Sequence, residues 1–201
     1  MAREKQFSEA EVLDRVADLF AAHGYQGTSL AMLLDATGLG KQSLYNAFGD
    51  KRTLYLKSVE CSVSRYASLQ ATMQAAPNGR AAVAAYFDSL VGHRGEDDPA
   101  TQCCILTAGL MEGVDDESIA HRLHDKWIAM HELLRSAVER GQKDRSIRAQ
   151  APSCELADLL LAVVAGMRVN ARAAMPPHRL QRTANLALSL LDRDGPAARS
   201  P

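Results

Sequence analysis

Along nearly the whole chain apolar residues return every three or four positions, and no run alternates apolar and polar as a half-buried strand does. The pattern predicts helices throughout. Ser8-Glu-Ala-Glu11 is a capping box that opens a first helix, with Val12, Val16, Leu19 and Phe20 on one face. His23-Gly24 ends it, since glycine is free to take the left-handed conformation. Thr28 or Ser29 caps a second, short helix that ends near Thr37. Gly38-Leu39-Gly40 makes a tight turn, and a third short helix runs from about Lys41 to Phe48. Asp50 caps a long fourth helix whose stripe is Tyr55, Val59, Val63, Tyr66, Leu69 and Met73.

Pro77-Asn78-Gly79 signals a loop. A helix follows from about Arg80 to Val91, then a polar stretch over 92–99, then a helix from Thr101 to Met111. The residues from Gly113 to Asp116 break and re-cap the chain for a long helix with Ile119, Leu123, Trp127, Met130, Leu134 and Val138 inside. Residues 141–150 are expected to be a connector. Pro152-Ser153 opens a strongly apolar helix through about Arg172, and Pro176-Pro177 separates it from a last helix carrying Leu180, Ala184, Leu188 and Leu191. The fold class is therefore all-α, with about nine helices. Short ones fill the first fifty residues and long ones follow, so residues 1–50 are expected to form a small head, 51–194 a larger helical bundle, and 195–201 a disordered tail.

Composition refines this picture little. Aromatics are 5% while Ala and Leu are plentiful, which favours helix over strand. The formal net charge is −1, so bulk charge gives no sign of a polyanionic partner. Locally, however, Lys41, Lys51, Arg52 and Lys57 face only Asp50 between Gly38 and Ser58, an excess that suits a phosphate backbone. The first residues carry no apolar segment, so no secretory signal is expected. The longest apolar stretch, Leu159 to Met167, is too short to span a membrane. Cys61, Cys103, Cys104 and Cys154 show neither zinc-ligand nor redox spacing, and a reducing cytoplasm is the expected compartment. His121, His124 and Asp125 share one helix and are expected to be a charged surface, not a metal site. No metal and no cofactor are expected.

Residues 28–54 carry the chemistry. Two short helices joined by a glycine turn form a helix-turn-helix candidate, with Leu30, Leu33, Leu34, Leu39, Leu44 and Phe48 inward. The outer face of the second then holds Lys41, Gln42, Tyr45 and Asn46. Lys bonds guanine edges, and Gln and Asn pair with adenine. Ser43 and Tyr45 offer hydroxyls to flanking phosphates, and the helix starts at Thr28/Ser29 and Asp50/Lys51 present N–H groups and a positive dipole end. The pattern alone is shared by compact three-helix domains of any function.

A resemblance sharpens it. The stretch from Phe20 through His23-Gly24-Tyr25-Gln-Gly27-Thr28-Ser29, and then Gly38-Leu39-Gly40-Lys41-Gln42-Ser43-Leu44-Tyr45-Asn46-Ala47-Phe48 with Lys51 and Leu54, resembles the DNA-binding head of TetR-family repressors over residues 8–60. The resemblance implies phosphate contacts from Tyr45, Lys51 and Thr28 or Ser29, and base contacts from Lys41, Gln42 and Asn46. The chain departs from the pattern at Gly40, where Ser or Thr often caps, at Gln42, which replaces a frequent Gly or Pro, and at Ala47, to which no contact is assigned.

One short recognition helix reads only a few base pairs; two, ~34–36 Å apart, read a palindrome. A homodimer on double-stranded operator DNA is thus expected, paired as family members are through the last two helices. Leu156, Leu160, Val163, Val164, Leu180, Leu188 and Leu191, with Met167, are the interface candidates. The resemblance also implies an inducer pocket in the long helices, lined by Tyr66, Phe87, Cys103, Cys104, Leu106, Trp127, Met130, His131 and Met167, mostly apolar as small-molecule sites are. Gln102-Cys103-Cys104-Ile105-Leu106 resembles a segment of an electrophile- and acrylate-responsive subgroup, so thiol sensing by Cys103 or Cys104 is an alternative to a plain ligand pocket; so is simple burial of both thiols. An enzyme or helical carrier without DNA binding is the rival class. No phosphate loop, nucleophile elbow or cofactor fingerprint supports it, and no enzymatic activity is expected.

Overall fold

The structure, a computed structural model, describes residues 8–91, 105–113 and 115–192, with the backbone alone for 63–66. Among the described residues there are nine helices and no strand: α1 (Glu9–Gly27), α2 (Leu30–Thr37), α3 (Lys41–Phe48), α4 (Lys51–Ala75), α5 (Gly79–Val91), α6 (Ile105–Glu112), α7 (Glu117–Lys143), α8 (Ser153–Arg172) and α9 (Pro177–Leu190). Side chains cap many of the starts, as the sequence pattern requires. Ser8 Oγ accepts from the Glu11 N–H at 3.4 Å, Asp50 Oδ1 from Thr53 at 2.7 Å, Asn78 Oδ1 from Ala81 at 2.8 Å and Asp116 Oδ1 from Ile119 at 3.1 Å. Residues 195–201 lie outside the described residues.

The chain divides into two compact units, Met1–Tyr66 with Pro99–Asp125, and Ala67–Asp98 with Lys126–Pro201. Compactness thus groups α6 and the start of α7 with the three-helix head, where the expected boundary at residue 50 separated them. The core of the first unit is built from Val12, Val16 and Phe20 of α1, Leu33 of α2, Leu44 and Phe48 of α3, Leu54, Tyr55 and Val59 of α4, Ile105 and Leu106 of α6, and Ile119 and Leu123 of α7, all buried. Three aromatic rings join here: Tyr55 meets Phe20 edge-on at 4.9 Å and Tyr25 at 5.0 Å between centroids.

The second unit closes around Val83, Tyr86 and Phe87 of α5, Met130, Leu134 and Val138 of α7, Leu160, Val164 and Met167 of α8, and Leu180 and Ala184 of α9. Here α7 continues to Lys143, past the expected break at residue 141. Gly141 packs so closely on the start of α5 that a Cβ on Gly79 would strike its backbone, so the glycine serves close approach and the helix runs on. Arg140, beside it, donates to the carbonyls of Gln74, Ala76 and Asn78, and the Asp144 carboxylate accepts from the Gly79 N–H at 2.9 Å, which together satisfy the α4–α5 turn.

The seven expected interface residues differ in exposure. Leu156, Leu160, Val164, Leu180, Leu188 and Leu191 are buried within the second unit itself, and Val163 alone of the seven is partly exposed. The row left open on α8 is Leu159, Ala162, Gly166 and Val169, with Leu186 and Leu190 on α9; Leu186 is 61% exposed. Since α8 is apolar on almost every side, its periodicity does not say which row meets its own core.

Candidate nucleic-acid interface

The head is organised from its turns outward. Gly24 breaks α1 with φ +77° and Gly38 ends α2 with φ +67°, both conformations that side chains with a Cβ resist. The Gly38 N–H donates to the Leu34 carbonyl at 2.9 Å and closes α2. Thr37 Oγ1 then donates to the Leu33 carbonyl at 2.7 Å and accepts from the Leu39 N–H at 3.4 Å, which sets the turn between the two short helices. Leu44 and Phe48 are fully buried and anchor α3 from behind. With that face fixed, Lys41, Gln42, Ser43 and Asn46 are exposed on the opposite side and Tyr45 is partly exposed at its edge.

These are the groups a groove requires. Lys41, Gln42 and Asn46 carry donors, and the two amides also accept, so they match base edges; Ser43 and Tyr45 carry hydroxyls for phosphate. Gly40 gives α3 no side-chain cap, as the sequence departure implies. Ser29 caps α2: its Oγ accepts from the Met32 N–H at 3.3 Å, and the residue is exposed. Thr28 differs from expectation. It is wholly buried, and its hydroxyl donates back to the Gly24 carbonyl at 2.6 Å. The bend at Gly24 turns that carbonyl toward Thr28, so the side chain closes the turn and Ser29 is left as the outward hydroxyl.

The local positive excess is smaller in the fold than along the chain. Arg52 Nε donates to Asp116 Oδ2 at 2.6 Å, and its terminal nitrogen bonds Asp116 Oδ1 and Ser118 Oγ. This pairing raises the Arg52 pKa above its ordinary value and, with help from the Ser118 hydroxyl and the Ile119 N–H, holds Asp116 well below the usual carboxylate range. Lys51 Nζ stands 4.8 Å over the Tyr25 ring, and partial burial lowers its pKa while Glu112 acts in the opposite sense. Lys57 lies 5.7 Å over Phe48. Glu112 itself accepts from the Tyr25 N–H at 2.5 Å and the Gln26 N–H at 2.6 Å. Sequence reasoning missed Glu112 and Asp116, because nothing local marks a carboxylate that bonds a segment more than sixty residues away.

Of the expected ligand-pocket residues, Leu106 is buried in the first unit, and Phe87, Met130 and Met167 are buried in the second. Trp127 and His131 of the second unit are partly exposed, and His131 Nε2 lies 3.0 Å from Asp158 Oδ1. Cys103 and Cys104, and the side chain of Tyr66, lie outside the described residues. His121 Nδ1 pairs with Asp125 at 3.1 Å on an exposed helix face, and among the described residues no three potential ligands cluster for a metal. No helix among the described residues is long and apolar enough to cross a membrane.

Residues 12–57 match the family model described as "Bacterial regulatory proteins, tetR family". Over 96% of its length the chain is 30% identical to the whole of the HTH-type transcriptional regulator YezE of Bacillus subtilis. It is 26% identical to the HTH-type transcriptional repressor ComR of Escherichia coli, over 94% of this chain and 90% of that one. The fold matches that of CifR, a TetR-family transcriptional regulator solved as a cysteine mutant with a 26-base-pair operator DNA, with a TM-score of 0.79 and 26% identity over 93% of this chain and 98% of that one. The exposed polar row on a rigidly backed α3, within a chain related end to end to HTH-type regulators, places this protein in the TetR family as a DNA-binding transcriptional regulator.

Proposed function

We propose that the protein is a repressor that binds a palindromic operator as a homodimer and leaves it when a small-molecule inducer binds. The observation that carries this reading is α3: four polar side chains, Lys41, Gln42, Ser43 and Asn46, stand exposed on a short helix whose other face is locked by Leu44 and Phe48. That exposed face carries the amide, amine and hydroxyl groups that base edges and phosphates take. In this reading Lys41, Gln42 and Asn46 read bases. Ser29, Ser43, Tyr45 and Lys51 hold phosphates and set the register.

The second copy is seated on the open row of α8 and α9, where Leu159, Val169, Leu186 and Leu190 present apolar surface that a lone protomer leaves to water. Inducer binding belongs to the second unit, where Phe87, Met130 and Met167 supply apolar lining and Trp127 and His131 the polar edges. Binding at one site alters the other through a coupling of ~1–3 kcal/mol, a 5- to 150-fold change in operator affinity. The test is fluorescence anisotropy on duplexes from the region upstream of the coding sequence, at two salt concentrations and against competitor DNA. Tight, salt-dependent binding that random DNA does not displace is the expected result. Failure to select any site from a random library overturns the reading.

A further inference from the structure

We propose that Glu112, at the C-terminal end of α6, is a positioning residue for the DNA-reading helices: its carboxylate holds the Gly24–Gln26 turn and thereby fixes the start of α2 and the seat of Lys51. This inference rests on the regulator reading and adds to it a residue that touches no nucleic acid.

The local geometry begins with Gly24. Its φ of +77° and ψ of 172° interrupt α1, so the N–H groups that follow are turned out of the helix. Those of Tyr25 and Gln26 converge on the two oxygens of one carboxylate, Oε2 at 2.5 Å and Oε1 at 2.6 Å. Successive N–H groups forming a concavity for an anion are a strong electrostatic device, and bonds to an ionised acceptor are roughly twice as strong as neutral ones. The fit is close: a Cβ on residue 24 would stand 2.9 Å from the Glu112 carboxylate.

The turn so held supports the reading surface in three ways. The Tyr25 ring, fixed from its own N–H, packs edge-on against Tyr55 and lies under Lys51 Nζ. The Gly24 carbonyl receives the Thr28 hydroxyl. Ser29, next in the chain, caps α2. Four residues beyond Glu112, Asp116 pins Arg52 at the start of α4. One short segment therefore grips the head on both sides of Lys51, and all of it belongs to the same compact unit. A carboxylate near a DNA-facing surface is otherwise a liability, since it repels phosphate. Its sign makes the inference testable: removing a mere bystander leaves operator binding unchanged or tighter, whereas removing a positioning group weakens it.

The experiment pairs two readouts on the full-length wild type, E112Q and E112A: amide hydrogen exchange in the free protein, and operator affinity as a function of salt. E112Q keeps the side-chain shape but turns an amide N–H₂ toward one of the two backbone donors. The expected result is faster exchange at Tyr25 and Gln26 in both variants, with α3 amides and the thermal midpoint of E112Q retained. Operator affinity falls about 2- to 30-fold, the range for residues that act through their neighbours, at an unchanged salt slope. Unchanged exchange at Tyr25 and Gln26 overturns the clamp whatever the DNA result. Faster exchange with unchanged or tighter operator binding by E112Q overturns the positioning role. Absence of selective binding by the wild type is a different failure, that of the regulator reading itself.

Discussion

The outer faces of α3 and α8 differ in kind although both helices are anchored by buried leucines on their inner sides. On α3 the residues turned outward are Lys41, Gln42, Ser43 and Asn46; on α8 they include Leu159, Ala162, Gly166 and Val169. Water covers the first set at no cost. The second set exposes apolar carbon that stands to gain about 25 cal/mol for each Å² removed from water. The contrast teaches that an inner face tells how a helix is held, and the outer face tells what it is suited to meet: in the reading proposed above, a polar, charged polymer in one case and another apolar protein surface in the other.

The sharpest way to break this contrast is to make the two faces alike. Leu159→Glu combined with Leu190→Glu places charges on the open row while sparing the core, and is expected to give monomers in sedimentation equilibrium. Operator affinity is expected to fall by ~10²–10⁴-fold, because the second half-site is no longer tethered to the first. A double variant that stays dimeric refutes the assignment of that face.

Substitutions on α3 come next. Gln42→Ala and Asn46→Ala are each expected to cost ~1–3 kcal/mol of discrimination at one base position, with the thermal midpoint unchanged. Binding to a panel of single-base operator variants measures this, and uniform loss across the panel would show that these side chains do not read bases. Lys51→Ala and Tyr45→Phe are expected to weaken all sequences equally, with Lys51→Ala lowering the salt slope by about one.

The smallest effect concerns the Arg52–Asp116 pair. The Asp116 pKa is held below its ordinary value of 3.8, chiefly by Arg52. A depressed carboxylate contributes stability that is fully present above the unfolded value and is lost as pH falls toward the folded one. The difference in thermal midpoint between wild type and Asp116→Asn is therefore expected to be constant from neutral pH to about pH 5, and to shrink below about pH 4. A difference that grows on acidification runs against the pairing.

Much of the candidate reading surface was legible along the chain. The bounds of α3, its inward Leu44 and Phe48 and its outward polar row follow from spacing alone, because a short helix flanked by Gly38-Leu39-Gly40 and Gly49-Asp50 has one face able to meet a core. Thr28 was not legible. Either hydroxyl of Thr28-Ser29 satisfies the capping pattern, and the bend at Gly24 alone decides that Thr28 turns inward and Ser29 outward. The expected connector starts at residue 144 and not at 141, since glycine marks close packing as readily as a break.

What the sequence by itself determined is therefore local: the helical class, the caps and breaks, the order of elements and the polar row of α3, all set by residues within one or two helical turns of each other. Tertiary structure alone decided which row of α8 stays open, and that Arg52 is occupied by Asp116 and the Tyr25–Gln26 turn by Glu112. The physical reason is range. Capping and periodicity act over three or four residues, while an ion pair or a buried face depends on partners brought from more than sixty residues away, for which the chain carries no local signal.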